Sequence, residues 1–457
     1  MSVRISTASG WKEAGWQYWL LVAFLGLVFL TGGSSRGDVQ SLAFLRPASI
    51  GVLGIGLLTL RAEHIRRFKS LFLFAGLILL LVGLYLIPLP ASLLSLFPAG
   101  EMIDLTKAVA GPASHSASLA AAQSWNAFYA LFVPLAVLVI GAQLSREDMF
   151  RLLPTLLVLG FASGLVGFLQ ILGSREGPLY FYQITNNGTA VGFFANRNHQ
   201  AVLLAMLFPM LAVFASAGIK SPEQAAFRQW IALAGGIFLV PLILVTGSRA
   251  GLIIGTMSIA ATLWIYRKPE GLAPAKRKTR RIDWRIPAAA GGILALGAVT
   301  LLMSRAEAIN RLLDSGSPQD NRQAFWKPIA NMAMDNLPFG TGPGSIAEAY
   351  ARIEPISLLD ATYLNRAHND WLEVFANFGV LGALLLVAAV ATVAIRGWIV
   401  SHDRSKSRRS LYARMGMAII VAAALGSVGD YPLRTPIMAS IFVIAAFWFS
   451  SELKRQP

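Results

Sequence analysis

The sequence predicts an all-α polytopic membrane protein with about twelve transmembrane helices, and three observations support this fold class. Hydrophobic residues make up 55% of the 457 residues and charged residues only 14%, against roughly 25% in soluble domains. Apolar runs long enough to cross a hydrocarbon core of about 30 Å recur along nearly the whole chain. These runs do not alternate between apolar and polar residues, so helices are the expected spanning element.

Twelve apolar segments have the length and composition of membrane spans. They lie at about 17–33, 41–60, 70–89, 124–143, 150–172, 199–217, 229–246, 250–266, 286–303, 370–395, 411–429 and 434–451. The first run has no small-x-small cleavage site behind it, so we expect it to remain as the first span. The chain is then a single membrane domain over residues 1–457.

The positions of lysine and arginine predict the orientation of these spans. With both termini in the cytoplasm, about two thirds of the 39 basic residues fall in cytoplasmic segments. The densest stretch, residues 267–285, is interpreted as a topology anchor at the anionic inner leaflet, with a regulatory or partner-binding role as the alternative. Because the basic residues lie in short loops of a membrane protein, the net charge of +16 does not indicate a nucleic-acid partner.

The longest connection on the outer side is predicted at residues 304–369, between spans 9 and 10. It is too polar to lie in lipid and too short for an independent domain, so we expect short helices that lie over the bundle. Within it, Phe325, Ile329 and Met332 share one face of a predicted helix. The GTGPGS segment that follows, residues 340–345, is interpreted as a tight turn, since it lacks the lysine and the preceding strand of a phosphate loop.

Two arginines stand out at the predicted outer edge of the membrane. Arg249 lies in TGSRAG, between two apolar runs, where a guanidinium group is costly unless an anion meets it. Snorkelling of this side chain to lipid headgroups is the alternative. Arg322 lies near the start of the helix predicted in the large outer loop.

Polar residues also gather in GFFANRNHQ, just before the span at 199–217. Arg197 and Asn198 are candidates for substrate contact, whereas Asn196 or Asn198 would alternatively cap the helix that follows. Phe193 and Phe194 are expected to anchor the chain at the membrane interface.

The segment RAHNDWLEVFANFGVLG, residues 366–382, carries a polar stripe into the membrane. Asn369, Glu373 and Asn377 are spaced at i, i+4 and i+8, which places them on one face of an apolar helix. Polar groups at membrane depth normally face protein or a wet cavity, so we expect this stripe to face the bundle interior.

His368, directly before this stripe, has the best context for a general base among the five histidines. Imidazole titrates near neutral pH, and Glu373 or Asp370 would bias it. Helix capping or headgroup contact is the alternative for this side chain. Two histidines fall in cytoplasmic loops, and the other two outer ones are His115 and His199.

Asp430 and Arg434 lie in a very short outer turn, GDYPLRTP, where a local ion pair is the simplest explanation. No aspartate pair at one-residue spacing and no histidine cluster occurs in the chain, so we expect no metal site and no cofactor. The absence of cysteine excludes disulfides and thiolate chemistry.

Five motifs in order across residues 190–440 resemble the O-antigen ligase and polymerase family of bacterial envelope glycosyltransferases. They are FFANRNHQA, TGSRAG, the stretch from Arg322 to Trp326 followed by GTGPGS, HNDWLEVFANFGVLG, and DYPLRTP. The N-terminal third is similar to the family only in having several spans.

The resemblance implies metal-independent transfer of a glycan from undecaprenyl diphosphate to a sugar hydroxyl on the periplasmic face of the bacterial inner membrane. His368 would be the general base, while Arg249 and Arg322 would hold the diphosphate and stabilise its developing charge. The acceptor would be a lipid A core or a growing polysaccharide, so ligase and polymerase both stay open. Secondary contacts to diphosphate or sugar would come from Arg197, Asn198, Asn369, Glu373 and Arg434.

Two other classes of protein have many spans. A secondary transporter or a flippase for lipid-linked oligosaccharides usually needs ionisable groups near mid-membrane, whereas here the span interiors are almost free of charge. A scaffold without catalysis leaves Arg249, Arg322 and His368 without a role.

Overall fold

A computed structural model of the chain describes residues 14–94, 97, 115–269, 322–359 and 363–451. In these ranges the chain is an all-α membrane protein, as predicted, apart from one antiparallel pair of two-residue strands. These strands are β1 (Pro88–Leu89) and β2 (His115–Ser116).

The helices follow the apolar segments of the sequence. The first eight are α1 (Trp16–Thr31), α2 (Leu42–Thr59), α3 (Ala62–Arg67), α4 (Lys69–Leu84), α5 (Ala91–Leu94), α6 (Ala121–Ala130), α7 (Phe132–Ala142) and α8 (Arg146–Leu172). The next eight are α9 (Arg197–Ser216), α10 (Pro222–Thr246), α11 (Arg249–Ile265), α12 (Arg322–Asp335), α13 (Ile346–Tyr350), α14 (Asp370–His402), α15 (Arg408–Gly429) and α16 (Pro436–Phe449).

Seven helices in the described part of the chain are long and apolar enough to cross a membrane, with α6 and α7 together counted as one. Four shorter apolar helices, α1, α4, α11 and α16, accompany them. These eleven coincide with eleven of the predicted segments. The predicted span at 286–303 lies outside the described residues, so the count of twelve stays a prediction.

Local sequence explains where most of the apolar helices begin. Seven of them start behind a serine, threonine or asparagine whose side chain accepts a backbone N–H of the first turn, which satisfies a donor that the helix itself leaves unpaired. These N-cap residues are Ser145, Asn196, Ser221, Ser248, Asn369, Ser407 and Thr435.

Helix α9 is the centre of the bundle. Of its membrane-spanning window, 89% is buried, and it packs against α8, α10, α11 and α15. A helix that is apolar around its whole circumference is expected in such a central position.

The two ends of the helix bundle are defined by the helix termini that meet there. At the first, called the site end, the backbone N–H of Ile437 donates to Gly32 and that of Ala195 donates to Gly33, each at 3.2 Å. These bonds bring the end of α1 together with the starts of α9 and α16. At the opposite end, called the basic end, the start of α1 and the end of α16 both lie beside the start of α8.

Arginine side chains at the basic end cap helix carboxyl termini. Their guanidinium groups donate to the last backbone carbonyls of α7, α9, α11, α14 and α16, which carry the partial negative charge of the helix dipole. The donor and carbonyl pairs are Arg67 with Leu144, Arg228 with Ala217, Arg267 with Trp264, Arg414 with Asp403, and Arg396 with Phe449.

Helix α14 is interrupted at Gly379, where φ is +54°. The outer loop inserts its backbone there: Thr341 N–H donates to the Ala376 carbonyl and Val380 N–H donates to the Pro338 carbonyl, both at 2.9 Å. A Cβ atom at Gly340 would lie 2.6 Å from the Ala376 carbonyl, so only glycine fits this approach. The GTGPGS segment is therefore a structural turn, as predicted.

The predicted face of the outer-loop helix is confirmed. Ile329 and Met332 of α12 are buried, Phe325 is half-buried, and Ala376 of α14 belongs to the same apolar cluster. Residues 304–321 of the predicted outer loop lie outside the described part of the chain.

Candidate functional site

The site is built around the buried carboxylate of Asp430, which follows α15 at the site end. It accepts hydrogen bonds from Asn196 Nδ2 at 3.0 Å and from Asn198 Nδ2 at 2.6 Å, both directed at Oδ2. The backbone N–H of Tyr431 donates to Oδ1 at 3.0 Å. Several donors at one buried carboxylate stabilise its charged form.

Two histidines face the same oxygen of Asp430. His368 Nδ1 lies 3.6 Å from Oδ1, and His199 Nε2 lies 3.4 Å from it. Tyr431 packs against both imidazole rings, with centroid separations of 5.0 and 5.2 Å. The side chain of His368 is 16% exposed and that of His199 only 2%, so His368 is the more accessible of the two.

The backbone around His368 is held in an unusual conformation. Its φ of +49° makes it the one non-glycine residue with positive φ in the described part of the chain. The left-handed region costs an L-residue about 1–2 kcal/mol, so neighbouring contacts must enforce it. Glu373 supplies two of them, because its carboxylate accepts from Arg366 Nη1 and from the backbone N–H of Ala367, each at 3.0 Å.

A second ion pair ties this carboxylate to the segment after α15. Arg434 donates to Asp370 at 2.9 Å through Nε, and its Nη2 lies 3.2 Å from Glu373 Oε1. Ser427 also donates to Asp370, at 3.0 Å. Burial by itself would lower the pKa of Arg434, but Glu373 and Asp370 outweigh it and raise that pKa. The buried charges therefore neutralise one another beneath His368.

A cavity of about 150 Å³ opens beside the histidines. Its wall combines the segment after α1, the segment before α9, and the residues around His368. The lining residues are Gly33, Ser34, Ser35, Arg36, Ile184, Thr185, Asn186, Ala195, Asn196, His199, Asn365, His368 and Tyr431.

The wall after α1 is fixed from several sides. Gly33 N–H donates to the Tyr182 hydroxyl at 2.7 Å, and burial raises the pKa of this tyrosine to about 12. Arg36 forms a two-pronged ion pair with Asp38, at 2.9 and 2.6 Å, which raises the pKa of Arg36 and lowers that of Asp38. Arg366 Nη2 donates to the Ser35 carbonyl at 3.4 Å and connects this wall to the Glu373 network.

The predicted arginines begin helices at or near this end. Arg249 is the exposed first residue of α11, and a Cβ atom at Gly251 would lie 2.4 Å from that of Ala201, so the first turns of α11 and α9 touch. Arg197 begins α9, and its backbone N–H donates to Asn186 at 3.1 Å. Arg322 begins α12, but its side chain lies outside the described part of the structure.

The polar stripe of α14 faces the interior, as predicted. Glu373 and Asn377 are fully buried. Asn369 is the N-cap of α14, where its side chain accepts from the backbone N–H of Leu372 at 3.1 Å. Asn196 plays the same part for α9, which confirms one of the two alternatives for that residue.

Three expectations from the sequence need correction. Asp430 and Arg434 have partners in other segments: Arg434 pairs with Asp370 and Glu373, and Asp430 faces the histidines. The carboxylate nearest His368 is accordingly that of Asp430, because Asp370 and Glu373 are held by arginines. Phe193 and Phe194 are buried and do not anchor the chain at the interface.

The sequence also left Asp430 and His199 out of the candidate site. Both lie in motifs that were singled out, and burying an aspartate at a membrane edge is costly without partners. That cost was a usable signal, although nothing in the spacing showed which histidines would meet the carboxylate. Among the described residues, no group of three or more histidine or acidic side chains is arranged to hold a metal ion.

The fold and the site together define a polytopic membrane protein with histidine–aspartate pairs on the wall of a polar cavity at one end of its helix bundle. Residues 234–387 match the family model of the O-antigen ligase, over about a third of the chain. This match confirms the resemblance to the O-antigen ligase family over that region, which contains three of the five motifs. No curated protein sequence matches the chain.

The matched region supports glycan transfer in the assembly of O-antigen or polysaccharide, and the matched family in general implies a lipid-linked donor and a polysaccharide or lipid A acceptor. The matched region contains Arg249, Arg322 and His368. Asp430 and His199 lie outside it, and the folded chain brings them to His368.

Proposed function

We propose that the protein transfers a glycan from undecaprenyl diphosphate to a sugar hydroxyl, with His368 as the general base. The observation that carries this proposal is the position of His368, which lines a cavity while its Nδ1 faces the buried carboxylate of Asp430 at 3.6 Å. A histidine oriented by a carboxylate through one ring nitrogen has the other nitrogen free for proton transfer.

The reaction follows from this arrangement. Asp430 would hold the proton on Nδ1 of His368, so that Nε2 takes the proton of the acceptor hydroxyl. The acceptor oxygen then attacks the anomeric carbon, and the bond between that carbon and the diphosphate oxygen breaks with its electron pair on the diphosphate. Attack from the face opposite the leaving group inverts the anomeric configuration. The 3.6 Å separation is longer than a hydrogen bond, and we expect it to shorten when substrate binds.

Arginines would stabilise the leaving diphosphate. The planar guanidinium fork matches phosphate oxygens in a bidentate way, and charge stabilisation is worth most where water is excluded. Arg249 is the first candidate, because it begins α11, whose Gly251 packs against Ala201 of α9, three residues beyond the Asn198 that binds Asp430. Arg322 is the second, at the start of α12, and Arg197 and Asn198 would add contacts at the start of α9.

Glu373, Arg434 and Asn369 would support the site and would not contact the substrate directly. Glu373 and Arg434 neutralise each other beneath His368, and Asn369 caps the helix that follows it. Their effect on sugar binding would then act through the position of His368.

The orientation in the membrane follows from the arginines of the basic end. Positively charged loops stay in the cytoplasm, so the basic end would be cytoplasmic and the site end would face the periplasm of a bacterial inner membrane. Both termini would then be cytoplasmic, because α1 begins and α16 ends at the basic end.

One observation favours a second candidate, a flippase or secondary transporter for the same lipid-linked glycan. Transporters often use interrupted helices, and α14 is interrupted at Gly379 beside the fully buried Asn377. Neither polar atom of the Asn377 amide has a hydrogen-bond partner in the described part of the chain.

The test is a reconstitution of the purified chain in vesicles with lipid-linked repeat units, with and without a lipid A core acceptor. Longer glycans would indicate a polymerase, and glycan on the core would indicate a ligase. Translocation of the lipid-linked unit without any transfer would support the transporter and contradict the proposal.

Three variants test whether the reaction takes place at the proposed residues. We expect Arg249→Ala, Arg322→Ala and His368→Ala each to abolish transfer without loss of membrane insertion, since a general base alone contributes on the order of 10² to 10⁴ in rate. His402→Ala is the matched control, because His402 is exposed at the basic end. Wild-type turnover in all three site variants would refute the site. Arg249→Lys separates charge from geometry, because a lysine ammonium replaces the bidentate fork poorly.

A further inference from the structure

Arg46 is a charged residue within an apolar helix, on the side of the bundle that carries the site. It lies one turn inside α2, whose start is tied to the end of α1 by a 2.7 Å hydrogen bond from Ser41 Oγ to the Thr31 carbonyl. Neither the family match nor the proposed reaction includes it.

The partners of Arg46 in the described part of the chain are neutral. Its Nη2 donates to Asn126 Oδ1 at 3.0 Å, and its guanidinium lies 5.7 Å from the centre of the Tyr129 ring. Its buried Nε has no hydrogen-bond partner there, and no carboxylate there forms an ion pair with it. By contrast, the site-end guanidinium groups of Arg36, Arg366 and Arg434 all meet carboxylates.

A half-buried guanidinium in a membrane helix is costly unless an anion compensates its charge. One contact with an amide oxygen and one with an aromatic ring leave most of its five N–H donors and all of its charge without an anionic partner. The charge of Arg46 therefore calls for an anion that the described part of the chain does not supply.

The surroundings of Arg46 place it at the level of lipid headgroups. Trp125 and Tyr129 of α6 are 44% and 37% exposed, and their rings stack at 5.7 Å. Exposed tryptophan and tyrosine side chains mark the membrane–water interface, where phosphate groups lie.

We propose that Arg46 and the Trp125–Tyr129 stack bind the phosphate of an anionic phospholipid from the leaflet at the site end. The guanidinium would donate to the phosphate oxygens, while the exposed aromatic rings would contact the glycerol backbone and the upper acyl chains. This binding site is independent of the proposed glycan transfer.

A bound lipid here would adjoin one wall of the catalytic cavity. A Cβ atom at Gly37 would lie 3.1 Å from the side chain of Asn126, which holds Arg46. Gly37 directly follows Arg36, a residue of the cavity wall. The lipid would thereby lie close to the segment that forms this wall of the cavity.

The test measures lipid binding to the purified full chain by native mass spectrometry. The probes are dioctanoyl phosphatidylglycerol, which is anionic, and dioctanoyl phosphatidylcholine, which is zwitterionic. We expect Arg46→Gln to weaken phosphatidylglycerol binding about 10-fold, as for the loss of a hydrogen bond between charged groups. Phosphatidylcholine binding should change little.

Matched variants separate this site from general attraction to the positive chain. Arg61→Gln removes the same charge from an exposed residue next to α3, and it should leave phosphatidylglycerol binding unchanged. Arg46→Lys keeps the charge and should fall between the wild type and Arg46→Gln, which also covers the case in which the glutamine variant folds poorly. Thermal unfolding in phosphatidylcholine shows whether each variant is folded.

Equal phosphatidylglycerol affinity in the wild type and in both Arg46 variants would overturn the proposal. An equal loss in Arg61→Gln would also overturn it, because the effect would then follow net charge. Displacement of the lipid by millimolar inorganic phosphate would assign the site to free phosphate in place of a lipid headgroup.

Discussion

The two ends of the helix bundle use arginine in different ways. At the basic end, guanidinium groups donate to backbone carbonyls at helix carboxyl termini, and the carboxylate partner of Arg408 is the largely exposed Glu147. At the site end, Arg366 and Arg434 pair with the buried carboxylates of Glu373 and Asp370.

The difference shows how burial changes what a charge contributes. Exposed ion pairs and helix caps are screened by water, and each contributes about 1 kcal/mol or less. A buried pair is expensive to form, and we infer that this network is retained because it holds a particular geometry. Here that geometry is the left-handed backbone of His368, whose neighbours Arg366 and Ala367 are held by Glu373.

The largest expected effect comes from breaking the buried network. Glu373→Gln removes the charge that Arg366 and Arg434 share, and the loss of one partner of a buried pair costs about 3–5 kcal/mol. We expect the free energy of unfolding to fall by that amount in an SDS titration in mixed micelles. A change below about 1 kcal/mol would mean that the site-end network is no more stabilising than the basic end.

The next effect is on turnover. Asp430→Asn keeps the shape of the side chain but removes the charge that faces His368, so we expect transfer to fall about 10- to 100-fold, as for outer-shell partners of functional histidines. Steady-state rates with the lipid-linked donor measure this loss. Unfolding by SDS provides the control. A variant that loses turnover only through misfolding would also unfold at a lower SDS concentration than the wild type.

A smaller effect is expected from a helix cap at the basic end. Arg228 Nη1 donates to the Ala217 carbonyl at the end of α9 at 3.0 Å, and Arg228→Gln removes this charged donor. We expect a loss of about 1 kcal/mol in the free energy of unfolding, with the rate of transfer unchanged. A large loss of transfer would show that the two ends are coupled.

The smallest effect is expected at the exposed pair. Glu147→Gln breaks the 2.7 Å contact with Arg408, but Glu147 is 63% exposed, so we expect a loss of about 0.2–1 kcal/mol. Salt should remove the difference from the wild type, because exposed charges are screened. A salt-independent loss as large as that of Glu373→Gln would abolish the distinction between the ends.

The hydropathy of the sequence determined the positions of the spanning helices, because the burial of an apolar run in lipid depends on its local composition. Eleven of the twelve predicted spans coincide with helices, and the N-cap of α9 was among the alternatives read from the sequence. The inward polar stripe of α14 also followed from local spacing, because helical periodicity assigns Glu373 and Asn377 to one face.

Only the tertiary structure decided which charges meet. Asp370 and Glu373 are near His368 in sequence, yet they pair with arginines, and the carboxylate facing His368 comes from Asp430, beyond the next two helices, α14 and α15. The wall of the cavity after α1 is formed by Gly33 to Arg36, which lie in the N-terminal third of the chain, where none of the family motifs occurs. Periodicity shows which face of a helix is buried, but the partner of that face is set by long-range packing of the whole bundle, which no local pattern encodes.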